Sequence, residues 1–425
     1  MPFEFSPQKL VYGGDALGYA EGHTVLAPRA LPGERLEVEP VRMAKGVVHA
    51  RPLRILEAAP ERISPPCRYF GRCGGCHYQH FDIDDQVRWK VEIVRETLKR
   101  IGKIIWDRNV TVHQASPWNY RNQAQLKIAR NEGDEVALGF FEGETHRLVP
   151  IDECLILSPR LNRVLGHLRR RQWLDRLRGC REVELLADDQ DDHVRITLFG
   201  DFGADDQERL AKDLLRQIDG AVAVAFRDSQ KLQVFGDPTL TYRVGEFGYQ
   251  LSAGTFFQSS RYLLQEFVDT VTKAEPGDLA LDLYAGAGLF TLPVARMFRH
   301  VAAVESHPAA ARDLEANVGR YGLSHVRSVR QSVFDFLRRF AQTEPDLVIL
   351  DPPRCGVGKP TLRYLIDLRP RRIHYVTCHP PTWARDLAYI LERDYRLEGV
   401  EMFDCFPQTY HIECLARLAR EDHAA

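Results

Sequence analysis

A thiol, a carboxylate and a glycine loop carry most of the chemical information in this chain of 425 residues. Cys378 stands at the end of a short apolar run, residues 372–377, in Tyr375-Val376-Thr377-Cys378-His379-Pro380. The run reads as a buried strand. A strand that delivers a thiol to the mouth of a nucleotide-type pocket points to covalent catalysis. A thiolate that adds to carbon 6 of a pyrimidine makes carbon 5 nucleophilic. A base must then take the carbon 5 proton so that the thiol can leave. Glu413, in His411-Ile412-Glu413-Cys414-Leu415, is the candidate base. Cys355 is the rival nucleophile because it also follows a strand end, and His379 and His411 read as structural hydrogen-bonding groups.

The pocket is read from two segments upstream. Residues 279–283 read as a strand that runs into Asp282-Leu283-Tyr284-Ala285-Gly286-Ala287-Gly288, with a helical run over 289–298. Glycines after a strand let the backbone approach a ligand at the first crossover. The third glycine of the dinucleotide fingerprint is missing, since Thr291 takes its place. The next strand ends at Glu305, 23 residues after Asp282, where a carboxylate can accept from both ribose hydroxyls. This pair suits S-adenosylmethionine at least as well as a nicotinamide dinucleotide. Residues 347–350 form a very apolar strand that ends in Asp351-Pro352-Pro353-Arg354. Paired prolines cannot continue a ladder, so the chain leaves the sheet there, with Asp351 beside the glycine loop. Arg354 stands where amino-modifying methyltransferases often carry an aromatic residue, which argues against amino-group chemistry.

A second constellation consists of thiols alone. Cys67, Cys73 and Cys76 share one glycine-rich loop, Cys67-x5-Cys73-Gly74-Gly75-Cys76, and Cys154 can supply a fourth ligand. Four thiolates suit an iron–sulfur cluster or zinc. Structural zinc usually uses two close pairs, so three ligands plus a distant fourth favour a cubane cluster. The fourth cysteine and the spacing speak against the open-iron site of radical enzymes. Cys180 reads as a bystander.

These groups need scaffolds of three kinds. Residues 1–60 are short apolar runs (23–26, 35–41 and 46–55) between glycine turns, the pattern of a small β-barrel. Residues 61–250 read as a central domain. It holds a helix over 83–101, with Val87, Val91, Val94, Leu98 and Ile101 at helical spacing, then strands over 110–157. A helix over 160–178 follows, with seven arginines against one acid, Asp175. Residues 251–425 alternate strand and helix, with strands at 279–283, 301–304, 347–350 and 373–377, which argues for an α/β domain with a parallel sheet covered on both faces. The net charge of −2 means that any nucleic-acid binding needs locally clustered basic groups. No apolar stretch reaches membrane-spanning length, and the start lacks a secretory pattern, so a cytoplasmic protein is expected. Nine cysteines in that setting favour metal binding and catalysis over disulfides.

Taken together, these residues resemble the RNA uridine-5 methyltransferases related to the bacterial 23S ribosomal RNA enzymes, over nearly the whole chain. The resemblance implies a C-terminal Rossmann-like class I S-adenosylmethionine-dependent domain, an N-terminal OB-like TRAM barrel, and a central α+β RNA-binding domain with an iron–sulfur loop. It makes Cys67, Cys73, Cys76 and Cys154 the [4Fe–4S] ligands, Cys378 the nucleophile and Glu413 the base. It puts Gln258, Tyr284, Gly286, Gly288, Leu289 (through its backbone), Glu305, Ser332 and Asp351 around S-adenosylmethionine. It puts Tyr120, Arg121, Gln123 and Phe257 against RNA. The chain departs from the family in His379-Pro380-Pro381, where Asn and one proline are usual, and in Cys414 after the glutamate. The expected reaction is methylation of carbon 5 of a uridine in 23S ribosomal RNA. The alternatives are the same chemistry on transfer RNA, or a non-catalytic iron–sulfur RNA-binding protein. No membrane or protein partner is indicated.

Overall fold

The computed structural model describes residues 1–130, 135–143, 145–228, 231–341 and 344–421. The N-terminal strands form one six-stranded sheet in the order Phe3–Phe5, Arg35–Ala44, Val47–Glu57, His23–Pro28, Asp15–Ala20, Pro7–Leu10. Leu36 and Val38 point inward between outward Glu37 and Glu39, the period-two pattern of a sheet with one buried face. The expected barrel is a half-barrel: its first and last strands in the order are not joined by a ladder.

The central sheet has seven strands, in the order Leu148–Pro150, Val136–Phe141, Gln123–Arg130, Cys180–Ala187, Val194–Gly200, Ala221–Arg227, Leu232–Gly236. Helices Pro159–Leu168 and Ala204–Gln217 bury Leu161, Leu165 and Leu214 against Leu126, Val183 and Ile196. The arginine-rich helix expected over 160–178 is broken into Pro159–Leu168 and Arg171–Arg176. Five of its seven arginines (Arg160, Arg169, Arg171, Arg176 and Arg178) pair with carboxylates of the protein, so most of this charge is already compensated.

The C-terminal sheet positions the site. Its order is Val326–Arg330, Phe298–Glu305, Gly277–Leu283, Leu347–Leu350, Arg372–Thr377, Glu413–Arg420, Tyr395–Phe403, Thr111–His113. The first five strands are parallel, and the order reverses between Gly277–Leu283 and Leu347–Leu350, the topological switch where such sheets bind ligands. Glu413–Arg420 then runs antiparallel to both its neighbours. Sequence alternation did not reveal this pair: Glu413–Arg420 is buried on both faces for most of its length, so the polar–apolar signature of an antiparallel strand is missing.

The segment 83–113, read as part of the central domain, packs instead with the half-barrel and the C-terminal sheet, while the cysteine loop before it docks on the central sheet. Thr111–His113 adds a parallel edge strand to the C-terminal sheet. Helix Ile83–Thr97 buries Ile93 and Val94 in one continuous core shared by the half-barrel and one face of that sheet. Its last turn runs into the wider turn Leu98–Gly102 beside helix Pro380–Leu391. A Cβ on Gly102 would lie 2.8 Å from the Ala384 carbonyl oxygen, so this contact requires glycine. Among the described residues no helix is long and apolar enough to cross a membrane.

Candidate active site

Four parallel strands and one antiparallel strand bring their chemistry to one end of the C-terminal sheet. Gly277–Leu283 ends in Asp282 and Tyr284, Phe298–Glu305 in Glu305, Leu347–Leu350 in Asp351 and Arg372–Thr377 in Cys378; Glu413 opens the returning strand. Thr377 pairs with Cys414, so the next step of that register sets position 378 opposite 413.

The loop after the first strand is tightly shaped. Tyr284 and Gly286 both adopt positive φ, +68° and +55°. For a tyrosine this is a strained backbone, of the kind that clusters at ligand sites. The Gly286 N–H donates to Glu305 Oε2 at 2.9 Å, and the His307 N–H donates to Glu305 Oε1 at 2.5 Å. Glu305 is thereby oriented while keeping lone pairs for a ligand. A Cβ on Gly288 would sit 2.9 Å from Leu314 Cδ1, so the loop needs glycine there to pack on helix Pro308–Arg320. Asp282 accepts from Thr291 Oγ1 at 2.5 Å, and its other oxygen, Oδ1, is buried without a partner. Burial and the neighbouring Glu305 push its carboxyl up to about 7. Asp351 is also pushed up to about 7, by burial and by Asp282. Carboxylates crowded together at strand ends, with raised carboxyls, are a functional-site signature.

Beside them lie the thiol and the second carboxyl. Glu413 is buried, and its carboxyl is held well above the usual range by that burial and by Asp351, with Arg354 opposing. Burial, Glu413 and Asp351 push the half-buried Cys378 thiol up to about 11, and Arg354 opposes this by charge and by hydrogen bonding. Arg354 thus faces both groups as a cation, a role its sequence position after two prolines did not disclose. It also approaches His411 Nδ1 at 3.5 Å. His411 is held neutral, down at about 3, by burial and by Arg354. His379 caps helix Pro380–Leu391: its Nδ1 accepts from the Thr382 N–H at 3.3 Å. The two prolines that follow it suit a helix start, where their missing N–H is not needed.

The loop from 404 to 412 aims Glu413, and residues distant in sequence hold it. The His77 and Tyr78 N–H groups donate to the Gln408 carbonyl at 2.8 and 3.0 Å. Gln86 exchanges two hydrogen bonds with Gln408, and the buried Lys90 pairs with Asp404 at 2.6 Å. Tyr120 donates its hydroxyl to the Pro407 carbonyl at 3.0 Å.

The sequence-predicted residues fall into groups. Tyr284, Gly286, Glu305 and Asp351 come together with Cys378 and Glu413 at the strand ends. Ser332 lies beyond the edge strand Val326–Arg330 as the exposed N-cap of helix Val333–Arg339, its hydroxyl engaged by Asp335. Leu289, expected to serve the ligand through its backbone, is buried, and its carbonyl accepts from Tyr249 at 3.0 Å. Gln258 is half-buried in the loop before helix Leu264–Thr272. Two residues expected against RNA are core instead. Tyr120 is 1% exposed and braces the Glu413 loop, and Phe257 packs between Tyr242 and Tyr249. Its neighbour Phe256 is the one turned outward, 71% exposed. Arg121 and Gln123 are half-buried. Cys355 is exposed on the turn after Arg354, whereas Cys405 and Cys414 are buried with thiols pushed up well above normal, as inert thiols are.

Cys67, Cys73, Cys76 and Cys154 line a single cavity of about 440 Å³, and Arg121 and His411 form part of its wall. Gly74 lies so close to Gly143 that a Cβ would be 3.0 Å from the Gly143 nitrogen, which fixes how the loop docks on the central sheet. Burial pushes the Cys73 thiol up to about 11, with Cys154 and Cys67 adding to it. Among the described residues no three His, Cys, Asp or Glu side chains converge closely enough to hold a single metal ion.

Comparison with known proteins decides the family. The sequence profile described as tRNA (Uracil-5-)-methyltransferase matches residues 84–421. The chain belongs to this family. It is an enzyme of the RNA (uracil-5-)-methyltransferase class, with S-adenosylmethionine as methyl donor. A protein of Alkalilimnicola ehrlichii named 23S rRNA (uracil(1939)-C(5))-methyltransferase RlmD is 32% identical over 439 residues, covering 99% of this chain and 97% of its own. An Aquifex aeolicus protein named as an uncharacterized RNA methyltransferase is 30% identical over 433 residues, covering 99% of each. Among solved structures, the Pyrococcus abyssi tRNA (uracil-54, C5)-methyltransferase in complex with S-adenosyl-L-homocysteine shares the fold, with a TM-score of 0.78, 23% identity, and coverage of 98% of this chain and 100% of that one.

Proposed function

We propose that this methyltransferase modifies carbon 5 of a uridine in 23S ribosomal RNA, through a transient bond between Cys378 Sγ and carbon 6 of the pyrimidine. The observation that carries the reading is the placement of Cys378 opposite Glu413 at the open end of the sheet, one register step beyond Thr377 and Cys414.

The residues present fit S-adenosylmethionine. Glu305 offers oriented carboxylate oxygens for ribose hydroxyls, the loop from Tyr284 to Gly288 lets backbone approach closely, and the Asp351 charge is felt at Cys378. When bound, the cofactor supplies the electrophilic methyl group. The thiol of Cys378 gives its proton to solvent, helped by Arg354, and the thiolate adds to carbon 6, which moves the ring double-bond electrons into a carbon 5 enolate. Carbon 5 would then take the methyl group as the sulfonium's sulfur–methyl bond breaks, with S-adenosylhomocysteine as the leaving group. Glu413 then removes the carbon 5 proton, the carbon–sulfur bond breaks, the ring double bond reforms and the thiolate is returned. Because the reacting atoms of a paired base lie inside the stack, the target uridine has to be extruded into the pocket.

For the cysteine cavity the reading is a [4Fe–4S] cluster on Cys67, Cys73, Cys76 and Cys154. Four thiols share one cavity, and burial raises those of Cys73, Cys76 and Cys154, so that they become thiolates together only beside compensating positive charge. The methyl transfer moves no electrons, so the cluster's role is to shape the fold: its cavity shares His411 with the Glu413 loop. Anaerobically purified protein should be brown and lose its visible absorbance on oxidation; a colourless preparation containing only zinc would overturn the assignment.

The relative named for 23S rRNA favours the ribosomal substrate. The family description and the Pyrococcus abyssi enzyme are named for tRNA, which keeps transfer RNA as the second reading. Methylation of 23S rRNA and tRNA transcripts with labelled cofactor separates the two: label in the rRNA alone supports the proposal, and label in tRNA alone reverses it. A ribosomal substrate places the reaction in the cytoplasm.

A further inference from the structure

The half-barrel reaches into the active site through Tyr12. Tyr12 follows strand Pro7–Leu10 and precedes Gly13 and Gly14, whose φ values of +114° and +99° are open to glycine but not to ordinary side chains. The turn they allow lies against the C-terminal sheet. A Cβ on Gly14 would come within 3.2 Å of Tyr410 Cδ1 and 3.5 Å of His77 Cβ. From this turn the Tyr12 hydroxyl donates to the Cys378 carbonyl oxygen at 3.2 Å. Its ring meets His379 edge-on at 5.2 Å and Tyr410 edge-on at 5.7 Å.

The Cys378 peptide needs such a restraint. Thr377 is the last residue of its strand to pair in the ladder, so the sheet does not orient the next carbonyl. The helix that follows begins with two prolines, which have no N–H to offer. The local tie here is the His379 N–H donating to Thr377 Oγ1 at 3.0 Å. Tyr12 therefore spans two segments: the turn that carries the thiol, and Tyr410 in the loop that leads to Glu413.

We infer that Tyr12 is a positioning residue, which locks the Cys378 turn and the Tyr410 loop into one geometry so that the half-barrel completes the active site. The inference rests on the reading of Cys378 as the nucleophile. The phenol is held protonated by burial, with Cys378 and Glu413 among the groups that reinforce this and Arg354 opposing it. It sits in the field of the reacting groups as a neutral donor and does not repel the thiolate.

The test uses the full-length protein with Tyr12→Phe and Tyr12→Ala. Three quantities are read: methylation kinetics, the rate of covalent adduct formation on RNA containing 5-fluorouridine, and the melting temperature. Loss of one neutral hydrogen bond predicts that Tyr12→Phe lowers kcat about three- to tenfold. KM for RNA and for S-adenosylmethionine should stay within about twofold, because a positioning defect is expressed in kcat. Adduct formation should slow in step with kcat, and the melting temperature should not move. Tyr12→Ala should be slower still, with Tyr12→Phe restoring the part due to the ring. Wild-type kcat and adduct rate in Tyr12→Phe would overturn the inference, as would a change confined to the KM for RNA. Cys378→Ala run alongside keeps the two readings apart. Methylation surviving in Cys378→Ala defeats the mechanism itself, whereas an inactive Cys378→Ala beside a fully active Tyr12→Phe defeats only the role of Tyr12.

Discussion

Cys378 and Glu413 stand opposite each other, one step past the last pair of an antiparallel ladder, although 35 residues separate them in the chain. Cross-strand neighbours on an antiparallel pair are close enough for their side chains to interact directly. In the proposed reaction this register brings a thiol that attacks carbon 6 and a carboxylate that deprotonates carbon 5 to adjacent atoms of one ring.

Removing the base without removing the nucleophile should stall the reaction after methyl transfer. Glu413→Gln keeps the size and hydrogen bonding of the side chain but cannot take the proton. It should accumulate an RNA–protein adduct that survives a denaturing gel, with turnover reduced by about 10²–10⁴-fold. Gel analysis after incubation with RNA and S-adenosylmethionine reads this directly, and full turnover without adduct would remove Glu413 from the mechanism.

The pH dependence follows from the same cluster. The Cys378 thiol is pushed up to about 11, so at neutral pH the thiolate is the minor form and grows about tenfold per pH unit. Glu413 is also raised and must be ionised to act as a base. Both effects have one sign, so kcat/KM should climb from pH 6 to pH 9 with no acid-side optimum. Arg354 opposes both shifts. Arg354→Gln should move the climb to higher pH and cost on the order of tenfold at pH 7.5. A pH–rate profile in which the variant and the wild type superimpose would deny Arg354 this role.

Much of this site could be read from the chain because parallel strands announce their ends. Asp282, Glu305, Asp351 and Cys378 each follow a short apolar run, and a turn or proline signal marks where the strand stops. What could not be read depends on pairings distant in sequence. Glu413 gains its meaning from an antiparallel register that no local pattern encodes. The resemblance put Tyr120 and Phe257 against RNA, but tertiary packing buries both, and an aromatic side chain carries no local sign of which way it faces. Tyr12 lies more than 360 residues from the carbonyl it binds. The split of residues 83–113 away from the central domain is of the same kind, since a three-residue edge strand, Thr111–His113, is too short for a periodic signal.

The buried pair of Lys90 and Asp404 offers a test of how the Glu413 loop is held. Both side chains are essentially inaccessible, and Lys90 also donates to the Phe406 carbonyl at 3.0 Å. Lys90→Met leaves a buried carboxylate without its partner and should destabilise the protein by about 3–5 kcal/mol. Lys90→Met with Asp404→Leu should recover most of that loss in denaturant unfolding while kcat remains low, because the loop keeps its packing and loses its anchor. Additive losses in the double variant would show that the two residues do not act as a pair.

The most direct measurement is the identity of the residue bonded to RNA. The protein is incubated with S-adenosylmethionine and target RNA containing 5-fluorouridine, whose carbon 5 has no proton to lose, and the trapped complex is digested and sequenced by mass spectrometry. The account predicts a single modified peptide, with the methylated nucleotide on Cys378. A nucleotide on Cys355, or undiminished methylation by Cys378→Ala, would contradict it.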